Sequence, residues 1–90
     1  MFKLKVVTPN KIFFDEEVEM AIFKTTVGDR AILKGHAPIV AGIKEGQLKV
    51  KTSGNFRDAK IGNGFVTVDN DTNTVLVTEK AIWDNASSEE

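Results

Sequence analysis

The sequence predicts an all-β fold, a β-sandwich of two mostly antiparallel sheets with about ten short strands and at most a short helix at the C-terminal end. Two observations carry this. Apolar residues recur with a period close to two in most segments, which puts one side of each strand in a core and the other in water. Turn-forming residues then interrupt these segments at short, fairly regular intervals.

Phe2, Leu4 and Val6 alternate with Lys3 and Lys5, so the N-terminus reads as a strand and lacks the apolar stretch of a signal peptide. Pro9-Asn10 and Asp15-Glu16 read as turns. Val18, Met20 and Ile22 alternate with Glu17 and Glu19, while Ala21 and Phe23 make the later part apolar on both faces. After a turn at Val27-Gly28-Asp29, the apolar runs Ala31-Ile32-Leu33 and Ile39-Val40-Ala41 flank Gly35-His36-Ala37-Pro38. Proline lacks an N–H and pushes its predecessor out of the helical region, and glycine reaches conformations closed to other residues. That segment is therefore a defined corner between two strands, with the only histidine at its apex.

The stretch Ile39 to Ile43, like Met20 to Phe23, is apolar on both faces and needs cover on both sides, from a central position in the sheet or from another protein. Beyond turns at Lys44-Glu45-Gly46 and Thr52-Ser53-Gly54-Asn55, Leu48 and Val50 alternate with lysines, and Ala59 and Ile61 with Asp58 and Lys60. Gly62-Asn63-Gly64 is expected to be a tight turn with positive backbone torsions. Val66 and Val68 then face one way, Asp69-Asn70-Asp71 turns, and Val75-Leu76-Val77 is a short apolar run. Glu79 to Asn85 is expected to form the short helix, carrying Ile82 and Trp83. The expected division is one domain over 1–82 and a polar tail over 83–90, frayed at Ser87-Ser88-Glu89-Glu90.

Composition narrows the function. With 41% hydrophobic and 28% charged residues the chain is ordinary for a soluble domain. The net charge is −1 and the basic residues are spread out, against nucleic-acid binding. There is no cysteine, so no disulfide framework and no thiolate chemistry, which fits a reducing, cytosolic setting. No apolar run approaches the ~20 residues of a membrane span.

No motif assembles a catalytic site. His36 has no second histidine and no cysteine to share a metal, and no nucleophile with an orienting third group, so it reads as a structural or interface residue. Asp69, Asp71 and Asn73 have the spacing of a calcium loop, but Thr74 and Lys80 replace its glycine and glutamate. Gly62-Asn63-Gly64 lacks the third glycine of a dinucleotide loop, Thr67 standing there. The sequons Asn70-Asp71-Thr72 and Asn85-Ala86-Ser87 carry no meaning without secretion. Glu79-Lys80-Ala81 has the local look of a lipoyl-lysine turn, but a carrier lysine belongs at a mid-chain hairpin tip. Asp29-Arg30, beside Gly28 and close in sequence to the corner, suits a docking edge with charge for register and apolar atoms for area. The reading is a non-enzymatic binding module with no catalytic, cofactor or metal site. A lipoyl-type carrier domain or a small-ligand-binding β-sandwich is the alternative.

The chain resembles the N-terminal β-sandwich of the epsilon subunit of F-type ATP synthases. The resemblance is carried by Leu4-Lys5-Val6-Val7-Thr8-Pro9, Phe14-Asp15, Gly28-Asp29, Gly35-His36-Ala37-Pro38, Ile43-Lys44-Glu45-Gly46, Gly62-Asn63-Gly64-Phe65-Val66-Thr67-Val68 and Thr74-Val75-Leu76-Val77-Thr78, in order over about residues 2 to 82. It implies a non-catalytic rotor subunit of the central stalk, docked on the gamma subunit and on the polar loops of the c ring, coupling ion translocation to ATP synthesis. Such a subunit lies on the cytoplasmic face of a bacterial inner membrane and meets the membrane only through the ring. By the resemblance, Asp29 holds the acidic position that meets the c-ring loops, and Arg30, His36, Ala37 and Pro38 are further partner-contacting residues. Two local departures stand out: Lys34 replaces the proline usual before the corner, and Lys24-Thr25-Thr26 replaces a loop that usually has another glycine or proline. The family's chains usually continue into a helical hairpin, whereas this sequence ends at Glu90, so neither hairpin-type inhibition nor ATP binding is expected of it.

Overall fold

The structure, a computed structural model, describes residues 1–84. Its strands are β1 (Phe2–Val7), β2 (Ile12–Val18), β3 (Met20–Thr25), β4 (Gly28–Leu33), β5 (Ile39–Ile43), β6 (Gly46–Thr52), β7 (Asn55–Ile61), β8 (Gly64–Val68), β9 (Thr74–Thr78) and β10 (Ala81–Trp83). They form two layers, β4-β3-β6-β7-β10 and β5-β8-β9-β1-β2, joined where Thr25 of β3 pairs with Ile43 of β5. Every pairing is antiparallel except that of β1 with β9. The expected all-β sandwich is thus present.

The period-two pattern builds the core. Phe2, Leu4, Val6, Phe14, Val18, Ile43, Val66, Val68 and Leu76 of one layer meet Ala21, Phe23, Ile32, Leu48, Val50, Ala59 and Ile61 of the other, all buried. At about 25 cal/mol per Å² of apolar surface removed from water, this shared interior is what holds the layers together.

Several local expectations are corrected. Asp15 and Glu16 do not turn: they lie inside β2, opposite Lys5 and Leu4. An edge strand leaves acidic side chains in water, and Asp15 also reaches the Lys3 ammonium at 3.5 Å. Val18, Met20 and Ile22 do not share a face. Val18 is buried at the end of β2, whereas in β3 it is Ala21 and Phe23 that are buried. The phase shifts at Glu19, between the two strands, where the chain passes from one layer to the other. The turn expected at Val27-Gly28-Asp29 falls on Thr26-Val27, and β4 begins at Gly28.

The short helix expected over Glu79 to Asn85 is also absent among the described residues. Ala81, Ile82 and Trp83 pair with Ile61, Lys60 and Ala59 as β10. So short a segment cannot hold a helix alone, whereas the open side of β7 offers ladder bonds. Trp83 is half-buried, with its ring centroid 4.7 Å from that of Phe13 and 5.8 Å from that of Phe14. The Arg57 guanidinium lies 3.8 Å from the ring centroid on one face. Trp83 thereby bridges β10 and β2, the two ends of the strand path. Asp84 follows, its N–H donating to the Asp58 carbonyl at 2.9 Å, and the rest of the expected polar tail, with Asn85-Ala86-Ser87 and Ser87-Ser88-Glu89-Glu90, lies outside the described residues.

Candidate docking surfaces

Asp29 and Arg30 open β4, while the Gly35-His36-Ala37-Pro38 corner follows its last residue, Leu33. A strand rises about 3.3 Å per residue, so the length of β4 separates the two by roughly 16 Å. The candidate residues, adjacent in sequence, therefore occupy opposite ends of the sandwich. Asp29 shares its end with the turn at Lys44-Glu45 and with Asn63, whose side-chain oxygen accepts the Glu45 N–H at 2.8 Å. The corner shares its end with the loop between β8 and β9, where the Gly35 N–H donates to Thr72 Oγ1 at 2.9 Å.

The Asp29 end is an exposed hairpin tip. The Thr25 hydroxyl donates to the Gly28 carbonyl at 2.6 Å and accepts the Val27 N–H at 3.2 Å, which fixes the turn. Val27 at its apex is 80% exposed. Asp29 is exposed, stands opposite Lys24 and lines a shallow depression of 240 Å³ with Ile22, Lys24, Gln47 and Lys49. Neither ion pair among the described residues, Lys3–Asp15 and Lys80–Glu45, uses its carboxylate. Arg30 is half-buried on the other side of the strand.

The corner is pinned from two sides. The His36 N–H donates to the Leu33 carbonyl at 3.0 Å, and its Nδ1 lies 2.7 Å from the Ala37 carbonyl, so Nδ1 carries the hydrogen in this contact. His36 is half-buried, and Ala37 and Pro38 are exposed. Gly35 has φ +91°, a conformation that glycine adopts without strain. Its hydrogen-bond partner Thr72 is buried at φ +67°, a genuine outlier for a β-branched residue. Hydrogen bonds hold it there. Its N–H donates to the Asp69 carbonyl at 3.1 Å, and its carbonyl accepts from the Thr74 hydroxyl at 2.9 Å. The Asp69 carboxylate accepts the N–H groups of Asp71 and Asn73, each at 2.9 Å, so the apparent calcium loop is a self-bonded turn. Thr72→Ala keeps the strain and deprives the Gly35 N–H of its acceptor, so stability should fall by about 1–2 kcal/mol in urea unfolding. Thr72→Gly relieves the strain and should recover about 1 kcal/mol of that.

A further surface, apart from the candidate residues above, lies on the outside of the β5-β8-β9-β1-β2 layer. Register puts Gly42, Phe65, Val77 and Val7 in one row and Val40, Thr67, Val75 and Lys5 in the next. Val40 is 79% exposed and Phe65 46% exposed. Val7, Pro9, Phe65 and Val77 line a shallow depression of 290 Å³. Exposed apolar side chains grouped on a sheet face in this way suit contact with another protein. Its sequence signal was the double-sided apolarity of Ile39 to Ile43 and Val75 to Val77. Lys80, by contrast, does not sit on a hairpin tip: it links β9 to β10, which lie in different layers, and its ammonium is 3.6 Å from the Glu45 carboxylate.

A family model described as "ATP synthase, Delta/Epsilon chain, beta-sandwich domain" matches residues 1–84. The ATP synthase epsilon chain of Ruminococcus albus is 46% identical over 83 residues, covering 92% of this chain and 62% of that one. The epsilon chain of Alkaliphilus oremlandii is 44% identical over 82 residues, covering 91% and 60%. This chain therefore spans about three-fifths of the length of these curated relatives. Among solved structures, a chain of the Euglena gracilis mitochondrial ATP synthase OSCP/F1/c-ring assembly superposes with a TM-score of 0.86 at 23% identity, covering 91% of this chain and 52% of that one. A chain of the Tetrahymena thermophila central stalk/c-ring assembly gives 0.79 at 16%, covering 90% and 65%. Those structural likenesses speak to the sandwich, and the closer sequence relatives speak to descent. Fold, motif order and relatives agree that the chain belongs to the ATP synthase delta/epsilon family, its residues 1–84 matching that family's β-sandwich domain and its curated relatives being epsilon chains.

Proposed function

We propose that this chain is a non-catalytic subunit of the central stalk of an F-type ATP synthase, docking the gamma subunit onto the c ring and coupling ion translocation to ATP synthesis. The observation that carries the reading is the uncovered apolar sheet face around Val40 and Phe65, on a chain of the delta/epsilon family. A face of that kind suits a lasting protein contact in which an apolar centre excludes water. In this reading it meets gamma. The hairpin tip with Val27 and Asp29 meets the polar c-ring loops, which holds the chain at the cytoplasmic face of a bacterial inner membrane without entering it.

The separation along β4 supports dividing the remaining candidates between the two partners. In this reading the ring meets the end that carries Asp29 and Arg30, and gamma meets the end that carries His36, Ala37 and Pro38. Asp29 is exposed and outside both ion pairs, so its loss costs the fold little. Asp29→Lys should leave the unfolding midpoint nearly unchanged while weakening c-ring binding by roughly three- to tenfold at low salt. Binding of purified c ring to the gamma complex, together with ATP-driven ion pumping, tests this. Unchanged ring binding and pumping would remove Asp29 from the ring contact.

A further inference from the structure

The chain leaves β4 through the turn Leu33-Lys34-Gly35-His36, closed by the His36 N–H on the Leu33 carbonyl at 3.0 Å. A turn of this kind has two common forms, which differ by turning over its central peptide, here the one between Lys34 and Gly35. The form with positive φ at the third residue favours glycine there, and Gly35 at φ +91° supplies it. The Gly35 N–H belongs to that central peptide, and it donates to Thr72 Oγ1 at 2.9 Å. In the other form the same N–H would point the opposite way. The Thr72 hydroxyl therefore selects one form of the turn, from a loop 37 residues further along the chain.

Thr72 is a poor residue for its own backbone. At φ +67° a β-branched side chain is strained, and glycine or asparagine would sit there more easily. The loop holds it there all the same. The Thr72 N–H is spent on the Asp69 carbonyl, its carbonyl takes the Thr74 hydroxyl, and the Asp69 N–H donates to the Asn73 carbonyl at 3.1 Å. Thr72 is only 1% exposed, so its hydroxyl has little freedom to move. The same loop follows Val68, which pairs with Ile39, the first residue of β5. Both ends of the corner are thus fastened to the β8-β9 hairpin, the start through Thr72 and the exit through Val68. The first fastening joins the end of β4, in one layer, to a loop of the other layer. A loop with nothing to do but turn would be better served by glycine at position 72. What glycine lacks is the hydroxyl that orients the Lys34–Gly35 peptide.

We infer that Thr72 is a positioning residue for docking: its buried hydroxyl fixes the turn that presents His36, Ala37 and Pro38 to the stalk partner, and the backbone strain is retained for that purpose. The inference rests on the reading above that this corner meets gamma. Thr72 itself offers almost no surface to a partner and acts through the corner.

Titration with purified gamma subunit, at a temperature well below the unfolding midpoint of every variant, separates positioning from folding. A purely structural Thr72 would act only through the folded fraction, which is then close to one throughout, and gamma binding would not move. Thr72→Ser keeps the hydroxyl and should bind gamma within about twofold of wild type, with the Gly35 amide still protected from hydrogen exchange. Thr72→Gly, although more stable than Thr72→Ala, should weaken gamma binding by about three- to tenfold and let the Gly35 amide exchange at least about tenfold faster. Binding by Thr72→Gly at wild-type strength would overturn the inference and leave the gamma reading standing. An equal loss in Thr72→Ser would trace the effect to the methyl group and overturn it too. So would a Gly35 amide as slow in Thr72→Gly as in wild type, because the turn would then not depend on the hydroxyl. Absence of binding by the wild-type chain would overturn both readings. Should Thr72→Gly not fold, Thr72→Ala, which also lacks the hydroxyl, takes its place in each comparison.

Discussion

Replacing Gly64 by alanine is expected to lower stability by about 3 kcal/mol or more, out of the roughly 5–13 kcal/mol typical of a 90-residue chain. A Cβ at this position would collide with the Val77 carbonyl, a backbone atom of the adjoining strand. The strand cannot retreat cheaply. The buried Thr78 hydroxyl donates to the Gly62 carbonyl at 2.9 Å, and the Glu79 N–H donates to the Asn63 carbonyl at 3.0 Å, clamping the start of β8 to the end of β9. Gly62→Ala should cost less, because the atoms its Cβ would meet belong to the flexible Glu79 side chain. Gly54→Ala should also cost less, about 1 kcal/mol, since Gly54 has φ +79° but open space around it. Urea unfolding of the three variants would rank them. A Gly64→Ala protein as stable as Gly54→Ala would mean that β8 and β9 are not held this closely.

The same glycines show what a lone sequence hides. Their punctuation was legible: Gly62-Asn63-Gly64 does end one strand and start another. The reason was not, since neither glycine appears among those with positive φ. Gly64 is needed for close approach, and approach depends on Val77, a residue the local sequence does not place. The phase of β3 went astray for a similar reason. Val18, Met20 and Ile22 keep strict alternation, but the layer changes at Glu19, and only the pairing of Met20, Ala21 and Ile22 with Lys51, Val50 and Lys49 fixes which side is buried. Local sequence reads Trp83 as helical because its partners, Phe13 and Phe14, are distant in sequence.

The site was legible to a similar degree. The corner between β4 and β5 and the charged hairpin were readable from proline, glycine and charge. Their proximity in sequence suggested one docking edge, yet an intervening strand sets nearby residues at opposite ends of a sheet. The anchoring of the corner by Thr72 required a contact between Gly35 and a loop on another hairpin. The apolar face assembles residues from β1, β5, β8 and β9, so it exists only once register is known.

That face carries the largest expected functional effect. Phe65→Asp should weaken gamma binding by roughly a hundredfold or more, because it places a charge where the apolar centre of the contact would form. Phe65 lies between Gly42 and Val77 on neighbouring strands and is 46% exposed. The fold gains little from it, so unfolding should shift by only about 1 kcal/mol, mostly from the poor strand preference of aspartate. Phe65→Tyr, which keeps the ring, should retain most binding. Phe56 supplies the matched control: it is 51% exposed, lies on β7 in the opposite layer, and has the Lys51 ammonium 5.7 Å from its ring centroid. Phe56→Asp should leave gamma binding within about threefold of wild type. Titration of labelled chain with purified gamma separates the two. Equal losses at Phe65 and Phe56 would mean that general surface polarity, and not this face, governs docking. A loss at Phe56 alone would move the contact to the other layer.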